Sequence, residues 1–293
     1  MDCLRKYHAR WAYDDPLEFL KPLSDQFILP NLPNVISKSR FGDNMHTLIA
    51  GVFIYAGIFH ISKLLLFIPH LDRKLIKKKD RIDLSIRTVS LVQACLIVFL
   101  GLPVWKNSYL SQDHVFAVTP YSAFYTSMAL SYFIWDSFVC IYYLKYFGIG
   151  FLIHGLVSTL VFCIAVGYGF IHYYSAAFLL FELSTPFLNI RWIGIKIGLP
   201  ASVDLINNII LILIFFFVRI CCGWLWVYEL ALDLWAAKES EGFTYFGAGI
   251  ILACNGVLDI LNVYWFSKMI TVAFTIISGW LGVKGDDEKL KLM

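Results

Sequence analysis

The chain has 293 residues, 59% of them hydrophobic and 17% aromatic, with 15% charged and a formal net charge of +3. A mean hydropathy of +0.70 lies far from that of a soluble domain and leaves no room for a separate one. So small a positive charge, clustered in one loop, gives no case for a nucleic-acid partner. The class that remains is an all-α polytopic membrane protein.

The opening MDCLRKYHARWAYDD has no apolar core and does not read as a cleavable signal peptide. The following stretch, DDPLEFLKPLSDQFILPNLPNVI, spaces Pro16, Pro22, Pro30 and Pro33 among aromatic and aliphatic residues. It cannot hold one long helix and is expected to lie along the membrane surface, so residues 1–45 form an N-terminal lumenal segment. A crossing needs about 20 mainly apolar residues, and seven segments qualify: 46–68, 84–104, 121–143, 148–166, 169–190, 203–227 and 245–266. The Gly-Tyr-Gly at 167–169 reads as a tight turn between the fourth and fifth. Beyond residue 266 the apolar pattern continues past Lys268 to Val283, too far for one crossing. The last helix therefore either projects from the membrane or turns along its surface.

The loop after the first segment carries Arg73, Lys74, Lys77, Lys78, Lys79, Arg81 and Arg87, which the positive-inside rule places in the cytosol. Alternation then puts the loops of Lys145 and of Arg191 and Lys196 on the cytosolic side, and the acidic loop of Glu229, Asp233, Glu239 and Glu241 in the lumen. The N-terminus is lumenal and the C-terminus cytosolic. The tail, KGDDEKLKLM, has Lys289 and Lys291 five and three positions from its end, similar to the K-x-K-x-x signal read by coat proteins for retrieval to the endoplasmic reticulum. Read without that signal, it is a solvated charged tail.

Ionisable groups inside spanning helices mark a site or a buried pair. At 1.5 Å per residue, Asp136 lies about 10 Å from the cytosolic end of its segment, His154 about 9 Å, Glu182 about 12 Å and Asp259 about 10 Å. Four titratable groups thus share one depth, with Asn262 one turn from Asp259 on the same side and Asn207 and Asn208 near that level. An imidazole beside a carboxylate is suited to general-base work, so His154, oriented by Asp136 or Glu182, is the candidate catalytic base or acyl carrier. The same residues also suit an interhelical hydrogen-bond network with no chemistry. Arg219, in FFFVRICCGW, reads as snorkelling to lumenal headgroups or pairing with Glu229, with substrate anchoring as a further alternative, and His60, His114 and His172 as solvated near helix ends or in loops. Of seven cysteines, Cys95, Cys140, Cys163, Cys221, Cys222 and Cys254 fall in or beside apolar segments without C-x-x-C spacing. They read as buried thiols, and no metal or dinucleotide motif is present.

The strings SYFIWDSF (131–138), GIGFLIHGLVST (148–159), FELSTPFLNIRW (181–192) and GVLDILNVYWFSKMI (256–270) resemble the TLC-domain family, which includes the translocating-chain-associating membrane protein and the ceramide synthases. The resemblance runs over residues 80–282 and is nearest the smaller lipid-homeostasis branch. It leaves 46–79 as an extra transmembrane helix with its basic loop and 283–293 as a cytosolic tail. It implies a six-helix barrel with a polar-lined cavity, preceded by one extra helix, in the endoplasmic reticulum membrane. Glu182 and Asn189 would then share a face turned into the barrel, and a lipid head would meet the layer of Asp136, His154, Glu182, Asp259 and Asn262. Pro186 would free carbonyls toward the cavity, while Arg191 and Trp192 would hold the cytosolic rim and a coenzyme A phosphate. The adjacent His-His pair of ceramide synthases is His154-Gly155 here, and their acidic motif is absent. The implied functions are therefore another acyl transfer, with acyl-CoA as co-substrate and no bound cofactor, or non-catalytic lipid binding as a sensor, chaperone or cargo receptor.

Overall fold

The computed structural model describes residues 14–65 and 78–280. The tail lysines Lys289 and Lys291, and Arg73, Lys74 and Lys77 of the basic loop, lie outside the described residues. Within them the chain is helical apart from its connections, the longest of them at 106–119, with no strand.

Residues 14–44 form a run of short helical turns, among them Lys21–Phe27, Asn34–Ser37 and Arg40–Asp43. The break points follow the prolines, since each Pro fixes φ and removes a donor that a longer helix would need. The long elements are α1 (Met45–Leu65), α2 (Lys78–Trp105), α3 (Pro120–Tyr142), α4 (Ile149–Tyr168), α5 (His172–Leu179), α6 (Thr185–Ile197), α7 (Ala201–Phe215), α8 (Gly223–Ala237) and α9 (Tyr245–Trp280). A 3-10 stretch, Leu180–Ser184, joins α5 to α6, and a π-helical stretch, Phe216–Cys222, joins α7 to α8.

Five of these helices are long and apolar enough to cross a membrane: Met45–Leu64, Lys79–Trp105, Ile149–Tyr168, Ala201–Ala237 and Tyr245–Thr275. The protein is a polytopic all-α membrane protein. The third and fifth expected crossings are also present as helices. α3 is the most enclosed helix of the fold and can afford serines and tyrosines because protein, not lipid, surrounds it: Ser122, Ser127 and Ser131 are fully buried. The α5–α6 segment is interrupted by its own 3-10 break. At the C-terminal end α9 continues unbroken for 36 residues, about 54 Å, well beyond an apolar core about 30 Å thick. Among the described residues α9 has no break through Trp280.

Packing closes six segments into a ring in the order α2, α3, α4, α9, α7–α8, α5–α6 and back to α2, while α1 lies outside against α2 and α3. Small residues permit the tight crossings, as expected where lipid removes most of the hydrophobic drive between helices. A Cβ on Gly51 of α1 would lie 2.5 Å from Ser131 of α3, and the Ser131 hydroxyl donates to the Leu48 carbonyl at 3.1 Å. Thr119 and Ser122 cap α3 reciprocally, with Pro120 in its first turn.

The two ends of the ring differ. One, the basic face, carries Lys79, Lys145, Arg191 and Lys196. At the other, the amino-terminal segment is clamped by His46 Nε2, 2.9 Å from Asp15 Oδ2, and by packing against the turn after α4. That turn ends on Gly169 with φ 61°, where a Cβ would fall 2.5 Å from the Arg40 guanidinium, so glycine is required twice over. His172 is buried, with Nδ1 3.1 Å from the Ser122 hydroxyl and Nε2 3.2 Å from the Ala165 carbonyl. His114 Nδ1 is 2.7 Å from Asp233 Oδ2, which also accepts from the Tyr174 hydroxyl at 2.5 Å. His172 thus ties α5 to α3 and α4, and His114 ties the α2–α3 connection to α8, where the sequence suggested solvated ends.

Candidate functional site

The polar centre of the ring begins with two failures of regular helix. In an α-helix the amide of Thr185 would serve the Phe181 carbonyl; in the 3-10 stretch it donates to the Glu182 carbonyl instead. The released Phe181 carbonyl accepts from the Ser184 hydroxyl at 3.0 Å and from Arg219 Nε at 3.2 Å. Opposite, the π-helical stretch adds a residue to the turn and aims Arg219 inward, a distortion frequent at functional sites. Gly223 lets the two breaks approach, since a Cβ there would sit 2.9 Å from the Phe181 ring.

Arg219 is 8% exposed and is held on four sides. Its Nε also donates to the Ser184 hydroxyl at 3.1 Å, its Nη1 to Asn262 Oδ1 at 3.3 Å, and its Nη2 stands 3.9 Å from Glu182 Oε1. The Phe215 ring lies 5.1 Å away in cation–π range. Glu182 accepts in addition from the Thr185 hydroxyl at 2.7 Å. Arg219 therefore neither snorkels nor pairs with Glu229. A guanidinium buried in a membrane fold must satisfy its donors inside the protein, and the carbonyl freed at Phe181 supplies an acceptor that no regular helix would offer.

Of the residues singled out from sequence, Glu182 and Asn262 join this centre directly. Asp136 lies within electrostatic reach of Glu182, and its Oδ2 stands 3.1 Å from where a Gly155 Cβ would be, so it fits against α4 through the glycine that follows His154. His154 lies within electrostatic reach of Arg219 and is wedged edge-on between Phe133, 6.2 Å away, and Trp265, 5.6 Å away by ring centroids. Among the described residues no hydrogen bond joins His154 to Asp136 or Glu182. Glu182 and His154 thus neighbour one arginine, and Asp136 joins the neighbourhood through Glu182.

Asp259 stands apart. It lines a groove of about 420 Å³ between α8 and α9 with Trp224, Val227, Gly256, Ile260 and Val263. Asp259 and Asn262 therefore do not face alike: three residues turn a helix through about 300°, which separates them by about 60° and sends Asn262 inward. Nearer the basic face, Asn189 is 2% exposed and accepts from Arg87 Nη1 at 3.3 Å, while its own buried amide nitrogen has no partner. Arg87 pairs with Asp83 at 2.9 Å and stacks over Trp192, 4.9 Å away. Lys196 covers the same ring at 5.4 Å and binds Asp80 at 2.8 Å. Trp192 is thus a rim anchor held between two cations, while Arg191 is half-buried beside them and within electrostatic reach of Arg87.

Sequence reading missed Arg87 and Arg219 as partners of the polar residues. Arg87 was read for topology alone, as one of a run of basic loop residues. The available signal for Arg219 was a second intramembrane charge of opposite sign, Glu182, in the neighbouring segment.

The family model of the TLC domain matches residues 83–271, from the second turn of α2 to the last third of α9. That span holds the whole ring and excludes α1. The chain belongs to the TLC-domain family. It is 32% identical to an uncharacterised TLC domain-containing protein of Saccharomyces cerevisiae over 83% of this chain and 88% of that one. It is 29% identical to topoisomerase I damage affected protein 4 of the same yeast, over 75% and 82%, and 26% identical to TLC domain-containing protein 4 of Homo sapiens, over 68% and 77%. The first and third of these are TLC domain-containing proteins by name, and none of the three is named a ceramide synthase. The Arg219 centre, the Asn189–Arg87 contact and the Asp259 groove all lie within the TLC domain.

Proposed function

We propose that the protein is a lipid-binding TLC-domain protein of the endoplasmic reticulum membrane that acts in lipid homeostasis. In this reading a lipid enters the ring sideways between α8 and α9 and presents its head to Arg219. The observation that carries it is the charge balance at the centre. Three of the acceptors around Arg219 are neutral, the Phe181 carbonyl, the Ser184 hydroxyl and the Asn262 amide oxygen, and its one carboxylate stands off at 3.9 Å. The guanidinium is incompletely neutralised, and a lipid carbonyl, carboxylate or phosphate complements it. The groove carrying Asp259 opens on the neighbouring face of α9, about 60° around from Asn262, and gives a lateral route.

The retrieval-like lysines Lys289 and Lys291 and the basic first loop support residence in the endoplasmic reticulum, with the basic face cytosolic and coat proteins as partners of the tail.

A second reading, acyl-CoA-dependent transfer to a lipid, is favoured by His154, an imidazole inside the ring with no hydrogen bond to a described residue. His154 would take the proton of an acceptor hydroxyl or amine as that atom attacks the thioester carbonyl, the coenzyme A thiolate leaving, and Arg191 would hold a coenzyme A phosphate at the rim. Binding is the better supported role, because His154 packs against aromatic rings and no carboxylate orients it.

Lipid mass spectrometry of the purified protein, wild type beside Arg219→Gln and His154→Ala, separates the two after incubation with labelled acyl-CoA and membrane lipids. Binding predicts a co-purified lipid that is lost in Arg219→Gln and kept in His154→Ala, with no labelled product. A labelled lipid product made by the wild type and abolished by His154→Ala would replace this reading with the acyltransferase.

A further inference from the structure

Asp259 is the one charged group lining the groove between α8 and α9. Among the described residues its carboxylate makes no hydrogen bond and no ion pair. The lysines that follow α8 and Asp259 are placed elsewhere. Lys238 lies over the Trp235 ring at 3.7 Å, and Lys268 over Tyr264 at 5.5 Å, about 14 Å along α9 from Asp259. All the groove residues are described, and α9 packs on α4, α7, α8 and the π-helical stretch. Trp280, where description ends, is about 32 Å further along the same helix. Residues 66–77 join α1 to α2, and residues 1–13 lead into the amino-terminal segment.

We infer that the lipid held here is a zwitterionic phospholipid with a primary ammonium, whose phosphate meets Arg219 and whose ammonium meets Asp259. The inference rests on the reading above, in which a lipid enters between α8 and α9, and it names the headgroup. Asn262, whose Oδ1 accepts from Arg219 Nη1 at 3.3 Å, follows Asp259 by three residues. The two differ by about 4.5 Å along α9 and about 60° around it. A carboxylate and a guanidinium thus flank one edge of α9 at nearly one depth, and the short two-carbon spacer of an ethanolamine head matches such a pair. Arg219 has neutral acceptors and one carboxylate at 3.9 Å, and Asp259 has no partner, so each lacks the charge that one end of this head supplies. An unpartnered carboxylate inside a spanning helix is costly, and a bound ammonium removes that cost.

The walls of the groove narrow the choice further. Apart from Asp259 they are apolar, and Ile260 is 71% exposed, Trp224 56% and Val263 46%, a surface that suits acyl chains better than a soluble amine. Gly256, one turn before Asp259, has no atom within 4 Å of where its Cβ would be, which leaves room for a head at this level. Quaternary ammonium groups are recognised by cages of aromatic rings, and Trp224 is the one ring in this lining. A primary ammonium instead donates its N–H bonds directly to a carboxylate. A phospholipid without an ammonium would leave Asp259 unanswered and set a second negative charge near it.

The test counts bound lipid by native mass spectrometry on the full chain, taken from nanodiscs that hold equal amounts of phosphatidylethanolamine, phosphatidylcholine and phosphatidylglycerol. The wild type should retain phosphatidylethanolamine at least about tenfold over each of the others. Asp259→Asn should erase that preference while still retaining lipid, and Asp259→Glu should keep it. Because Asp259 has no partner to lose, Asp259→Asn should melt at the wild-type temperature. Equal retention of the three lipids by the wild type, or an unchanged preference in Asp259→Asn, would overturn the headgroup assignment and leave lipid binding standing. No retained lipid in the wild type would instead overturn the lipid-binding reading, and this assignment with it. In a separate arm soluble phosphoethanolamine should leave the bound lipid in place; displacement at equal concentration would show a soluble-ligand site and overturn the assignment to a lipid.

Discussion

Arg219 Nε donates to the Phe181 carbonyl at 3.2 Å, joining two segments at the level where each departs from regular α-helix. Neither irregularity is tolerable alone in a membrane: the 3-10 break leaves an acceptor unserved and the π-helical turn carries a buried cation inward. Together they satisfy one another, and Glu182 and Asn262 complete the set.

Removing one side of this set should cost far more than removing both. Arg219→Met leaves Glu182 buried and unpaired, and a loss of about 3–5 kcal/mol is expected. Combining it with Glu182→Gln should recover a large part, read as a positive coupling energy in thermal unfolding of the detergent-solubilised protein. Additive losses in the double variant would contradict the pairing.

Ser184 accepts from Arg219 and donates to the Phe181 carbonyl. Ser184→Ala should lower stability by about 1 kcal/mol and leave the fold intact. Its effect should change in an Arg219→Met background, where the hydroxyl no longer accepts from Arg219 but still donates to the Phe181 carbonyl.

At Gly223 an added methyl meets the Phe181 ring, which is itself stacked on Trp226 at 6.0 Å. Gly223→Ala should therefore destabilise by about 1–3 kcal/mol through overpacking, whereas Gly249→Ala, where no atom lies within 4 Å, should stabilise slightly or do nothing. Melting temperatures of the two variants check the contrast.

At the basic rim, Trp192 lies under both Arg87 and Lys196. Trp192→Ala should cost more than Trp192→Phe, because phenylalanine retains a weaker quadrupole for the two cations. Proteolysis near the α6–α7 turn should rise in the same order.

Much of this architecture was legible in the sequence. The apolar runs located all seven helical segments, and the spacing of Glu182 and Asn189 correctly put both inside, since a helical period survives even across a 3-10 break. Two things were not legible. Asp259 and Asn262 differ by 60° around α9, less than an apolar run can resolve, and one faces a groove while the other reaches Arg219. Arg219 itself was misplaced because a charge near an expected helix end normally reaches for headgroups. Only the pairing of two broken helices, a long-range contact, gives it a reason to stay inside.

The central claim is that lipid enters between α8 and α9 and is held beside Arg219. The direct measurement is photo-crosslinking with a diazirine-bearing phospholipid in membranes, with the labelled residues mapped by mass spectrometry. The account predicts crosslinks concentrated on the groove residues Trp224, Val227, Gly256, Ile260 and Val263 and a marked loss of them in Arg219→Gln. Labelling spread evenly over all lipid-facing helices and unchanged in that variant would contradict it.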